Sequence, residues 1–197
     1  SSRLSTEEDY SAAIYSKEDL IINGNGTLNV NAGYRNGIKS TDDCIIVSGT
    51  LNITSTEDGI IGKDLCGIVA GDININAGSD GIKSTYDTDT TKGNVIIEGG
   101  NITIKASNDG IQAENILVIN DGTINIKTNN GAADTTQTHI DNMDMGRGGF
   151  GFNNNKTTTT TDDTSESRKG IKAGNMLIIN DGDITIDSDD DSVHCNS

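Results

Sequence analysis

Short apolar runs alternate with glycine- and acid-bearing corners along most of the chain, and they recur as three motifs in a fixed order. The first reads NGIKS (36–40), DGIIG (58–62), DGIKS (80–84), DGIQA (109–113), KGIKA (169–173) and DSVHC (191–195). The second reads GTLNV (26–30), GTLNI (49–53), GDINI (71–75), GNITI (100–104), GTINI (122–126) and GDITI (182–186). Between them lies a third run: DLIIN, CIIVS, CGIVA, VIIEG, LVIND and LIIND. The first motif advances by 22, 22, 29, 60 and 22 residues. Three short strands per turn of 22 residues predict an all-β parallel β-helix, a β-solenoid in which each coil borrows its neighbours to bury its inner face.

Period-2 alternation assigns the directions of the side chains. In the second motif Leu28/Val30, Leu51/Ile53, Ile73/Ile75, Ile102/Ile104, Ile124/Ile126 and Ile184/Ile186 point inward, and Asn29, Asn52, Asn74, Thr103, Asn125 and Thr185 point out. In the first motif Ile38, Ile60, Ile82, Ile111, Ile171 and Val193 stack inside, followed by a small inward column of Ser40, Gly62, Ser84, Ala113, Ala173 and Cys195. The segment AAIYSKEDL (12–20) fits the same frame, so Tyr15 starts the outward column Lys39, Ile61, Lys83, Gln112, Lys172, His194.

Two coils break the step. A seven-residue insertion falls within STYDTDTTKG (84–93), and a long Gly/Asn/Thr-rich loop occupies 128–168. Insertions into solenoids map to one face and carry function there. The whole of 1–197 reads as a single domain. It is expected to be an excerpt of a longer protein, because it starts without methionine and ends on a motif that looks unfinished.

Charge narrows the partners. Thirty acids against 14 bases leave a net charge of −16, which repels phosphate backbones and anionic lipid, so neither nucleic acid nor membrane insertion is expected. No apolar run approaches the roughly 20 residues needed to span a bilayer. Divalent cations are the natural ligands. The three cysteines read as buried small hydrophobes, Cys44 and Cys66 occupying one inward column with Leu20, Val95, Leu117 and Leu177. A Cys44–Cys66 bridge is geometrically open, since stacked strands lie about 4.8 Å apart. No CxxC or Ser-His-Asp set is apparent. The GRGGFG run at 146–151 lacks the strand and helix that dinucleotide binding needs.

Carboxylates gather at the two turns flanking the first-motif strand. One turn carries Glu57, Asp58, Asp80, Asp109 and Asp189 to Asp191; the other carries Glu18, Asp19, Asp42, Asp43, Asp64, Asp87, Asp89 and Glu114. Stacked coils place these like charges in columns, which a bound cation would relieve. Calcium suits them, with its six to eight oxygen ligands and tolerant geometry. The expected Ca²⁺ ligands are Asp42, Asp43, Asp58, Asp64, Asp80, Asp87, Asp89, Asp109 and Glu114. The alternative is that they are solvated Asp-Gly corners. The loop from Asp87 to Glu98 echoes a calcium loop, but its glycine falls one place late and Glu98 belongs to a strand, so it is no EF-hand. Beside the acids run Tyr15, Lys39, Lys83 and Lys172, with Tyr34 and Tyr86 in adjoining turns. Either lysine merely balances acid, or these residues line a groove for a polyanionic sugar chain.

These motifs, in this order and with this glycine-rich insertion, resemble the bacterial carbohydrate-binding domain-containing proteins typified by a clostridial cellulose- and pectin-binding β-helix. The resemblance implies a right-handed parallel β-helix with several calcium ions, exported to the cell surface or medium. It further implies binding of acidic plant polysaccharide such as polygalacturonate, and of cellulose. The architecture is also similar to calcium-dependent pectate lyases, in which case Lys39 or Lys83 would be the base, although no spacing shows the lowered pKa a base needs. A third reading is a structural spacer or adhesin stiffened by calcium.

Overall fold

The computed structural model describes residues 11–129, 131 and 167–196. The first coil is β1 (Ala12–Ser16), β2 (Leu20–Ile22) and β3 (Thr27–Ala32); the second is β4 (Asn36–Ser40), β5 (Asp43–Ile46) and β6 (Thr50–Ser55). The third is β7 (Ile60–Gly62), β8 (Leu65–Ile68) and β9 (Asp72–Ala77), and the fourth β10 (Ile82–Lys83), β11 (Asn94–Ile97) and β12 (Asn101–Ala106). The fifth is β13 (Ile111–Ala113), β14 (Ile116–Ile119) and β15 (Thr123–Thr128); the sixth is β16 (Ile171–Ala173), β17 (Met176–Ile179) and β18 (Asp183–Asp187), followed by β19 (Val193–Cys195).

Corresponding strands pair in parallel to make three sheets, one of seven strands and two of six. Sheet 1 collects the first-motif strands, sheet 2 the third-motif strands and sheet 3 the second-motif strands. This is the parallel β-helix that the repeat predicts. Among the described residues there is no helix long and apolar enough to cross a membrane.

The core follows the alternation. Ile38, Ile60, Ile82, Ile111 and Ile171 stack with 0% exposure each, and burying one such side chain contributes about 1.5–3 kcal/mol. Within the small inward column, Gly62 has its own steric cause: a Cβ there would meet the Leu65 carbonyl oxygen at 2.0 Å. Outside sheet 3, Asn52 donates to Asn29 at 2.8 Å and Asn74 to Asn52 at 3.1 Å, so the outward asparagines form a ladder. Cys44 and Cys66 face each other in register as buried free thiols. Burial pushes Cys44 up to about 12 and Cys66 well above its ordinary value. Cys195 departs from expectation: it is exposed, because it lies on the last described strand with no further coil stacked over it.

Both insertions leave from corners of sheet 1. The short one spans 85–93, between β10 and β11; the long one leaves after β15 and returns at β16, and most of 128–168 lies outside the described residues. Glu98 falls just beyond β11 rather than within it and accepts from Asn120 Nδ2 at 2.8 Å.

Candidate functional site

Sheet 1 carries the predicted outward row in register, except that Ile61, between Lys39 and Lys83, is buried at 3% exposure. Tyr15 pairs with Lys39, Lys39 with Ile61, Ile61 with Lys83, Lys83 with Gln112, Gln112 with Lys172 and Lys172 with His194. Acidic corners border this row on both sides, and the structure treats the two corners differently.

At the corner entering sheet 1, side chains cap backbone from coil to coil. Asn36 Oδ1 accepts the Asp58 amide at 3.0 Å, Asp58 Oδ1 the Asp80 amide at 3.0 Å, Asp80 Oδ1 the Asp109 amide at 2.9 Å and Asp109 Oδ1 the Lys169 amide at 2.7 Å. Each carboxylate therefore satisfies a turn donor that would otherwise be orphaned. Second oxygens meet cations: Asp80 Oδ2 lies 2.6 Å from Lys83 Nζ, and Asp109 Oδ2 lies 3.4 Å from Lys172 Nζ. Asp189 pairs with Arg168 at 2.8 Å and Asp190 with Lys169. Most of this corner's negative charge is thus neutralised by the protein itself. Asp58, Asp80 and Asp109, expected as metal ligands, carry this ladder. Burial raises the Asp80 pKa even against Lys83, since its carboxyl sits too deep for one pairing to offset lost hydration.

At the corner leaving sheet 1 carboxylates converge on one another instead. Asp19, Asp42 and Asp43, from two successive coils, place carboxylate oxygens within 4.8 Å of one another. Asp64 joins from the next coil. A hydrogen bond with Asp64 is the main cause of a raised Asp42 pKa, helped by burial and by the charges of Asp64, Asp19 and Asp43. Asp43 is raised by burial first and then by Asp19 and Asp64, against a lesser opposing pull from Lys92. Lys92 pairs with Asp64. Lys92 is thus one ammonium close to the four carboxylates, and Asp42 and Asp43 hold their protons more tightly than an isolated aspartate would.

The donor set fits a hard cation. Ligand oxygens at the 2.3–2.6 Å typical of calcium lie at most about 5 Å apart across the ion, so three carboxylates this close can share one ion and leave further positions open. Asp19 was not among the nine expected ligands. Its signal was present in the sequence, because the Leu20–Cys44 column makes Asp19 the neighbour of Asp43, whose amide donates to Asp19 Oδ1 at 3.3 Å.

The remaining expected site residues are dispersed. Asp89 caps Thr91 through its amide and hydroxyl at 2.9 and 2.7 Å, which lowers its pKa. Glu114 accepts from Gln112 at 3.0 Å, and Asp87 is exposed on the short insertion. Tyr86 carries Lys63 and Lys92 over its ring at 4.8 and 5.0 Å. Tyr34, 66% exposed, lies at the opposite corner with Arg35 at 5.4 Å from its ring, and Arg35 Nε donates to its hydroxyl.

Beneath the short insertion the Ser84 hydroxyl is buried without a partner. Its counterpart Ser40 donates to the Glu18 carbonyl at 2.7 Å and accepts from the Asp42 amide at 3.1 Å. The Asp64 carbonyl, which occupies the place of Glu18 two coils on, is already taken by the amides of Gly93 and Asn94 at 2.7 and 3.0 Å.

A solved protein shares this architecture. The polysaccharide lyase-like protein from C. thermocellum, solved as a gadolinium derivative, is 35% identical with a TM-score of 0.62, over 63% of this chain and 50% of that one. A carbohydrate-binding domain-containing protein of Acetivibrio thermocellus is 45% identical over 42 residues, 21% of this chain and 15% of its own length. The match thus spans half of the solved chain and a small part of the curated relative. The carbohydrate-binding domain-containing protein family matches residues 1–197 throughout, and the chain belongs to that family.

Proposed function

We propose that the chain binds an acidic polysaccharide of the polygalacturonate type without cleaving it, through calcium held by Asp19, Asp42 and Asp43 beside the outer face of sheet 1. The observation that carries this reading is the corner leaving sheet 1, where three carboxylates converge, while at the opposite corner most carboxylates pair with the protein's own cations. Three carboxylates supply part of a calcium shell, and a uronate oxygen can supply more. A bound ion would let an acidic protein hold an acidic polymer, which the net charge of −16 otherwise repels. A ligand of this class suits a protein at the cell surface or outside the cell.

The likeness to a polysaccharide lyase-like protein favours a second reading, that of a lyase. The chemistry of Lys83 opposes that residue as its base. Burial alone would lower its pKa, but the charge and hydrogen bond of Asp80, with Asp58 and Glu114, raise it, the reverse of what a general base needs. Isothermal titration of polygalacturonate with calcium and then with chelator, while following unsaturated product by ultraviolet absorbance, tests the proposal. Calcium-dependent heat without product is expected. Product would establish a lyase, and silence in both would leave a calcium-stiffened spacer.

A further inference from the structure

The geometry points to Lys39, beside Tyr15, as the anion subsite of sheet 1, which receives a carboxylate of the sugar chain while Lys83 and Lys172 do not. This rests on the acidic-polysaccharide reading above. The outward row is chemically uneven despite its regular register. Three residues before each member stands a corner residue: Asp80 precedes Lys83 and pairs with it at 2.6 Å, and Asp191 precedes His194 and meets its Nδ1 at 2.9 Å. Lys172 reaches back one coil to Asp109 at 3.4 Å. Before Lys39 the corner residue is Asn36, a neutral group.

Asn36 is the first rung of the capping ladder. It is 4% exposed, its Nδ2 donates to the Ser11 carbonyl at 2.8 Å and its Oδ1 accepts the Asp58 amide at 3.0 Å. It does the capping work of an aspartate without supplying a charge. Lys39 Nζ donates to Ser11 Oγ at 3.1 Å, and among the described residues it has no ion pair. Its neighbours along the row are Tyr15 and Ile61. An ammonium has three N–H donors, so donors remain for an incoming anion, and the resulting bonds would be charge-assisted.

The position also matters. Lys39 shares its coil with Asp42 and Asp43, and Tyr15 shares its coil with Asp19. Ammonium and cation cluster therefore lie at one end of the sheet. A uronate chain arriving there can give one carboxylate to Lys39 and another to the ion. Lys83 and Lys172 are committed to buried aspartates, so using them would uncover those carboxylates at a cost.

Titrating a defined oligogalacturonate, in calcium, into wild type and the variants Lys39→Gln, Lys83→Gln, Lys172→Gln and Lys105→Gln tests this. Lys105, on the outer face of sheet 3, controls for net charge. Lys39→Gln is expected to weaken binding about tenfold, as losing one charged hydrogen-bonding group does, and to flatten the salt dependence. It should leave the melting temperature unchanged. Lys83→Gln and Lys172→Gln should melt lower and, while folded, bind within about twofold of wild type. If wild type binds and Lys39→Gln binds equally well, or loses no more than Lys105→Gln, the subsite is overturned and the polysaccharide reading stands. If wild type does not bind, the polysaccharide reading falls and takes the subsite with it.

Discussion

Lys83 Nζ lies 2.6 Å from Asp80 Oδ2, and the Asp80 side chain is only 5% exposed. The same carboxylate caps the Asp109 amide through its other oxygen. One buried aspartate thus links its own coil to the next and depends on a lysine three residues on for charge balance.

Lys83→Met should therefore destabilise the fold by about 3 kcal/mol, since it strands a buried carboxylate. Lys83→Met with Asp80→Asn should recover most of that loss, because asparagine can still accept the Asp109 amide, as Asn36 does for Asp58. Urea unfolding of the two variants checks it.

Ser84→Ala should stabilise the protein by about 1 kcal/mol, because it removes a buried hydroxyl that has no partner. Alanine already fills the same column at 113 and 173. Thermal melts would show the gain, and a loss would mean that the hydroxyl is satisfied in solution.

Asp42 and Asp43 are both held above the ordinary aspartate value of 3.8. The folded chain therefore binds these protons more readily than the unfolded chain, so their contribution to stability grows as pH falls toward 3.8 and is lost as pH rises through the raised values. Metal-free Asp42→Asn should show a weaker decline across that window than wild type. Asp89 and Asp190 shift the opposite way, so the comparison with Asp42→Asn isolates the cluster. Denaturant midpoints in chelator from pH 4 upward measure it.

Calcium at one hundred times its dissociation constant should stabilise the protein by about 2.7 kcal/mol, a rise in melting temperature of about 5–11 °C for a chain of this size. Asp19→Asn with Asp43→Asn should abolish that rise, whereas Asp89→Asn should leave it intact. Differential scanning calorimetry with and without chelator decides. An undiminished rise in the double variant would place the ion elsewhere.

Ile38, Ile60 and Ile82 were legible because a two-residue alternation and a 22-residue step fix both direction and stacking. The outward row from Tyr15 to His194 was legible for the same reason. Corner chemistry was not. Asp58 and Asp42 look alike as letters, yet one caps an amide and the other crowds against Asp64, because turn torsions decide which oxygen meets which donor. Lys39 and Lys83 occupy one column, and what separates them is the substitution of asparagine for aspartate three residues earlier.

The Asp64 carbonyl accepts Gly93 and Asn94 at 2.7 and 3.0 Å, and Asn94 still pairs with Leu65 as if no residues had been added. Loop length at this corner is therefore uncoupled from stacking. Between Thr85 and Lys92 the coil offers an evolvable cassette, where new side chains can be set on the rim beside the acidic cluster while the isoleucine column beneath stays as it is.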